Sequence, residues 1–167
     1  YMVNTLQLNQ GNGFFSEIGQ MAGVAKTDWS WSALFSDFDN DSYKDLFITN
    51  GILRDIRNRD FITYAFKAFE EKKTPNLKIM EKAPSVPLQH YMYQNDGQLH
   101  FKNVATDWGL KEKSFSQGAS YADLDNDGDV DLIVNNMNQE AFVYQNQAVQ
   151  NKTGNYLRVK LKGSNKN

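Results

Sequence analysis

Residues 123–136 read DLDNDGDVDLIVNN. Asp123, Asp125, Asp127 and Asp129 occupy alternate positions and Asp131 follows, so five carboxylates crowd together just ahead of the apolar run Leu132, Ile133, Val134. Charges that close repel one another unless a cation neutralises them. Carboxylates, carbonyls and water are the ligands of Ca²⁺, which takes about six to eight of them. Alternation lets the side chains converge on one point, and Gly128 permits the positive φ that a sharp turn needs. The EF-hand opens the same way, but it ends on a Glu at about position 12 and is flanked by helices. Counted from Asp123, that position is Val134, and a short, apolar, β-branched run follows where a helix is required. An acidic N-D-G turn that merely faces solvent is the plain alternative.

A second copy weighs against that alternative. DFDNDSYKDLFITN at 37–50 places Asp37, Asp39, Asp41 and Asp45 at the same spacing, ahead of Leu46, Phe47 and Ile48. The loops start 86 residues apart, and the register extends upstream: Asn9 matches Asn95, Gly11 matches Gly97, Phe15 matches Phe101 and Ser30 matches Ser116. Self-similarity of this kind marks a repeat architecture. YQN at 93–95 recurs at 144–146, an offset of only 51, so the first unit carries an insertion within 51–87. There Phe61, Ala65, Ala68 and Phe69 recur at helical spacing. Asn58 can cap, Asp60 lies in the first turn, and Lys72, Lys73 and Pro75 mark an end, which predicts a helix near 59–73. In the second unit HYMYQN, LHFKNVA, FSQGASYADL, DLIVNN and AFVYQN read as short strands, with Asp96-Gly97 as a hairpin turn. Short strands in a repeat of about 50 residues predict an all-β fold of two four-stranded propeller blades with one inserted α-helix. The first strand of one unit is expected to complete its neighbour's sheet.

These residues resemble FG-GAP/VCBS-repeat proteins, whose blades carry an integrin-like calcium loop. YQNDGQLHFKNVATDWGL, SFSQGASYADLDNDGDVDLIVNN and TNGILRD are closer still to large bacterial members that end in an ASPIC/UnbV domain, and NYLRVKLKGSNKN resembles the first strand of that domain. The resemblance divides the chain into a repeat at 1–50, a helical insertion at 51–88, a second repeat at 89–147, and a linker with the start of an ASPIC/UnbV-like domain at 148–167. Each loop is read as holding one Ca²⁺, two ions in all. The ligands are the carboxylates of Asp37, Asp39, Asp41 and Asp45 with the carbonyl of Tyr43, then those of Asp123, Asp125, Asp127 and Asp131 with the carbonyl of Asp129. The resemblance also implies an exported protein (periplasm, outer-membrane surface or secreted) that meets a protein or glycan ligand at the cell surface.

Composition narrows the remaining classes. The net charge is −2, and nine of the twenty acidic residues lie in the two loops, so two divalent ions would reverse its sign. Mild acidity is therefore read as a metal signature. No basic stripe interleaved with aromatics suggests a nucleic-acid partner, and no apolar run of about 18 residues suggests membrane insertion. Cysteine is absent, so disulfides play no part. A closed propeller takes about four to eight blades, so the chain reads as a segment whose remaining blades lie elsewhere in a longer parent. No H-E-x-x-H, G-x-S-x-G or phosphate-binding glycine loop is present. His90 and His100 are expected to pack or to face solvent, since His100 stands where the first unit has Phe14. Trp29 and Trp31 lie on the run feeding the first loop and Trp108 precedes a turn glycine, so packing accounts for them, with a sugar-binding platform as the rival. The reading is a non-catalytic binding scaffold. A glycan-binding or glycan-processing propeller, with its active site in other blades, is the alternative.

Overall fold

The computed structural model describes residues 3–71 and 75–163. Strands β1 (Gln7–Asn9) and β2 (Phe15–Glu17) form a hairpin. Next come β3 (Ser30–Ser36) and β4 (Asp45–Asn50), joined by the first acidic loop. The insertion holds α1 (Arg59–Glu71) and α2 (Asn76–Met80). After it run β5 (Leu88–Gln89), β6 (Tyr91–Asn95), β7 (Phe101–Asn103) and β8 (Lys113–Ser114). The second acidic loop joins β9 (Ser116–Ala122) to β10 (Asp131–Asn136), and β11 (Phe142–Tyr144) follows.

The internal repeat is visible in the strand ends. Ser30–Ser36 and Ser116–Ala122 coincide when shifted by the repeat length, as do Asp45–Asn50 and Asp131–Asn136. The chain is mostly β, in several antiparallel sheets. One has four strands in the order β3-β4-β6-β7, so strands from beyond the insertion do complete the sheet that begins before it. The second has three, β11-β10-β9, and β5 pairs with β8. The β11-β10-β9 sheet thus has three strands where four were expected, and after β11 the chain turns: Asn151 and Thr153 donate backbone N–H groups to the carbonyls of Gln147 and Ala148. LHFKNVA also yields a shorter strand than its pattern suggests. The Asn103 side chain accepts the Ala105 N–H at 3.0 Å, closing a turn that ends β7. The stretch from Asn155 to Gly163, expected to open a strand, has none, and Leu157 and Leu161 are 87% and 89% exposed; residues 164–167 of NYLRVKLKGSNKN lie outside the described residues.

Strand β4 is buried along its whole length. Side chains alternate across a strand, so Leu46 and Ile48 pack with Ile18, Ala22 and Val24 behind the β1–β2 hairpin. Phe47 points the other way, into a cluster with Phe38, Met92, Leu132 and Val134. The four-stranded sheet thus stacks between the hairpin on one face and the three-stranded sheet on the other. Both acidic loops are carried on strands fixed by these two cores.

The insertion leaves and returns at one neck, where Ile52 and Val86 exchange backbone hydrogen bonds. Asn58 caps α1 as its sequence predicts, its side-chain oxygen accepting N–H groups of Asp60 and Phe61 at 3.0 Å each. Lys72 and Lys73, expected inside the helix, lie outside the described residues. Phe61 and Ala65 are buried against Ile79 and Ala83, whereas Phe69 is exposed. The insertion has two helices where one was predicted. Five residues are too few for a periodic signal, and α2 exists because Ile79 fills the apolar stripe of α1.

Candidate metal centres

Each loop reverses direction between two paired strands, and the reversal needs left-handed backbone. Asn40 and Asn126, the fourth residues of the two loops, have φ of 59° and 63°. The sixth residues, Ser42 and Gly128, have φ of 79° and 101°. Asparagine tolerates this region and glycine prefers it. Serine is the poorest fit, and Ser42 is the point where the first loop is strained.

The turns aim carboxylates inward. Carboxylate oxygens of Asp37, Asp39 and Asp45 lie within 4.8 Å of one another, as do those of Asp123, Asp125 and Asp127. Either cluster could hold a metal ion. The ninth residues, Asp45 and Asp131, are almost wholly buried and do the same second task. Asp45 accepts the Phe38 N–H at 3.0 Å and the Asn95 N–H at 3.0 Å. Asp131 accepts the Leu124 N–H at 2.9 Å and the Asn146 N–H at 2.8 Å. Each therefore ties its own loop to the next strand. A carboxylate has about four lone-pair sites, so two N–H bonds leave room for a cation.

Four residues of the recurring YQN motif, given no part in the site from sequence, complete the frame. Gln94 donates to Asp39 at 2.6 Å, and Gln145 donates to Asp125 at 2.7 Å. The Asn95 side chain donates to the carbonyl of Lys44 and that of Asn146 to the carbonyl of Val130, both at 3.1 Å. The same asparagines accept the N–H two residues on, Gly97 and Ala148. The recurring YQN held this signal: its Gln and Asn close the loop of the preceding hairpin.

The loops also differ. Asp37 accepts N–H groups of Asp41 and Ser42 at 3.0 and 2.8 Å. Its counterpart Asp123 instead pairs with the Arg158 guanidinium at 2.9 Å. Asp41 stays exposed and accepts the Tyr43 N–H, apart from the cluster around Asp39. The Tyr43 ring covers Gly97 in the neighbouring hairpin. Asp129, assigned only a carbonyl role from sequence, has its side chain inside: it is 1% exposed and accepts the Val149 N–H at 3.0 Å.

The donor chemistry fits a hard cation. Both clusters are all-oxygen, without histidine or cysteine. Asp39, Asp123 and Asp129 each have one buried carboxylate oxygen with no hydrogen-bond partner among the described residues. An unpaired buried carboxylate oxygen costs at least about 1–3 kcal/mol, and a bound cation removes that cost. Burial pushes the acidity of Asp39 weaker, with the charges of Asp41 and Asp37 adding to it. Burial likewise pushes Asp45 up to about 7, against the N–H bonds from Asn95 and Phe38. Asp129 is raised by burial too, with the neighbouring Asp127 and Asp131 charges adding to the shift. Negative charge is thus held where solvent does not stabilise it.

The structure places the two histidines and three tryptophans as follows. His90 is buried, and its Nδ1 accepts the Asn50 N–H at 3.2 Å. The other ring nitrogen then carries the proton and donates toward Ser114 at 3.0 Å. Burial lowers its pKa to about 4, so it is neutral at pH 7. His100 is exposed. Arg57 lies over the Trp29 ring at 3.9 Å, and Trp31 donates to the Gly51 carbonyl at 2.7 Å. Trp108 packs against the core between the sheets and, with Tyr144, lines a cleft of about 420 Å³. Among the described residues no helix is long and apolar enough to cross a membrane. No protein-family model matches the chain, and no curated protein matches it.

Proposed function

We propose that the chain is a calcium-stabilised segment of a β-propeller of the FG-GAP/VCBS type, acting as a non-catalytic binding scaffold of an exported bacterial protein. One observation carries this reading. Two loops of the same spacing close through the same bonds, Gln to the third residue and Asn to the ninth, and leave buried carboxylate oxygens unpaired in both. Ca²⁺ is favoured over Mg²⁺ because the oxygen ligands of each loop number more than Mg²⁺ takes from protein. Asp37, Asp39 and Asp45 form the centre of one site, and Asp41 and the Tyr43 carbonyl complete it when the loop closes on the ion. Asp123, Asp125, Asp127, Asp131 and the Asp129 carbonyl form the other, with the Asp129 carboxylate supplying charge behind it. Bound there, the ion neutralises the carboxylates and fixes the end of one strand to the start of the next. The stacked sheets are the blades, and the exposed termini of the stack meet the parent's other blades. Equilibrium dialysis against radioactive calcium tests the reading. It predicts two ions per chain, one after Asp39→Ala or Asp125→Ala. No retained calcium at millimolar concentration contradicts it.

The cleft beside Trp108 and Tyr144 favours a second reading, a glycan site, since an aromatic face with amide groups nearby suits a sugar ring. A glycan array on the full-length parent and on a Trp108→Ala variant decides it: binding lost in the variant supports the glycan site, and binding unchanged removes it.

A further inference from the structure

The segment from Gln145 to Arg158, which runs from the end of the second repeat through the stretch expected to be a linker and the start of a further domain, lies across both acidic loops. On the second loop Gln145 holds Asp125, the Asn146 N–H holds Asp131, the Val149 N–H holds Asp129, and Gln150 holds Asp127 at 2.5 Å. With Asp123 paired to Arg158, all five of that loop's carboxylates therefore bond to this one segment of chain. The same stretch then reaches the first loop. The Asn146 side chain donates to the Phe38 carbonyl at 2.6 Å, and the Thr153 hydroxyl donates to the Asp39 carbonyl at 3.0 Å. Gly154 packs so closely on the Asn40 carbonyl that a Cβ there would overlap it. Between the two contacts the chain is braced as a turn, with Asn151 and Thr153 bonded back to Gln147 and Ala148.

We propose that this segment is a strap that couples the two metal loops, so that they load calcium cooperatively. The inference rests on the calcium reading above and adds regulation to it. An ion in the second loop draws in Asp125, Asp127 and Asp131, and these carboxylates position Gln145, Asn146 and Gln150. That fixes the turn and, through Asn146, Thr153 and Gly154, the backbone of residues 38–40. Asp39, whose inner oxygen has no hydrogen-bond partner among the described residues, is then held ready for its own ion. Linkage makes the effect reciprocal, and coupling of this kind spans about 5–150-fold. The strap is partly exposed, so about tenfold is expected.

Calorimetric calcium titration of the whole chain tests the coupling. Asp39→Ala leaves the second site and Asp125→Ala leaves the first; neither removes a bond between the strap and the first loop. In the parent, the product of the two macroscopic association constants should exceed the product of the single-site constants by about tenfold. Gly154→Ala forces the strap off the Asn40 carbonyl without removing a ligand, and there the excess should vanish. Thr153→Val, a milder cut, should reduce it and serves if Gly154→Ala does not fold. Equal products in the parent overturn the coupling while leaving two calcium sites intact. An excess that survives both strap variants assigns the coupling to the sheets and overturns the strap. An absence of calcium binding in any form overturns the calcium reading itself.

Discussion

Ser42 is the residue at which the two loops are most unequal. Its φ of 79° lies in the left-handed region, where a side chain costs roughly 1–2 kcal/mol and glycine costs nothing. Its contribution to the loop is a backbone one, the N–H donated to Asp37 at 2.8 Å, which glycine retains. Ser42→Gly therefore removes strain and no bond. Glycine also loosens the unfolded chain, by about 0.4–1 kcal/mol, which offsets part of the gain. The net stabilisation is about 0.5–1 kcal/mol, and for a chain of this length that raises the melting midpoint by roughly 1–4 °C. The assay is a thermal melt in saturating calcium, with urea unfolding at constant slope as a check. The reciprocal change, Gly128→Ser, introduces the same strain and sets a Cβ against the Tyr156 ring, so it should lower the midpoint by more than Ser42→Gly raises it. The same asymmetry should make the second site the tighter by about tenfold, roughly 1.4 kcal/mol. Lys44 stands where the second loop has Val130, which also favours the second site. Arg158 works against it, but its side chain is 53% exposed and solvent screens it. A Ser42→Gly midpoint equal to or below the parent's, or equal affinities in Asp39→Ala and Asp125→Ala, would refute the strain argument.

Other outcomes follow from the same contacts. Phe47→Ala empties the cluster between the two sheets and should cost about 3–5 kcal/mol in urea unfolding. Asn146→Ala loses bonds to both loops, whereas Asn95→Ala loses bonds to one loop and its own turn, so by the same measurement the first should cost more, by about 1 kcal/mol. His90 has a folded pKa near 4, below its unfolded value of 6.5, so the unfolded chain binds the extra proton between those values. The stability it confers is complete above 6.5 and is lost as pH falls; in saturating calcium about 2 kcal/mol should go between pH 7 and pH 5, and His90→Gln should flatten that slope.

The loops and the repeat were legible in the sequence because they rest on local spacing: a carboxylate every second residue, then an apolar strand. Asn58 was legible as a cap for the same reason, since its partners are two and three residues away. Gln94, Asn95, Gln145 and Asn146 were visible as a repeated motif, yet their task was not, because each acts on a loop earlier in the chain. The strap was least legible. Its contacts span 108 residues from Asn146 to Phe38 and 114 from Thr153 to Asp39, and no periodicity marks them. The inward turn of the Asp129 side chain was hidden likewise, since the Val149 N–H that donates to it belongs to the strap.

The claim that metal holds this fold together is tested most directly by one thermal melt, run with calcium in excess and again after chelation. At about 100 times the dissociation constant each site stabilises by roughly 2.7 kcal/mol, so removal of both ions should lower the midpoint by at least several degrees. Restoring calcium should restore the midpoint, and the Asp39→Ala, Asp125→Ala double variant should melt at the same midpoint in either buffer. A midpoint that does not move, with loss of metal confirmed by elemental analysis, contradicts the account.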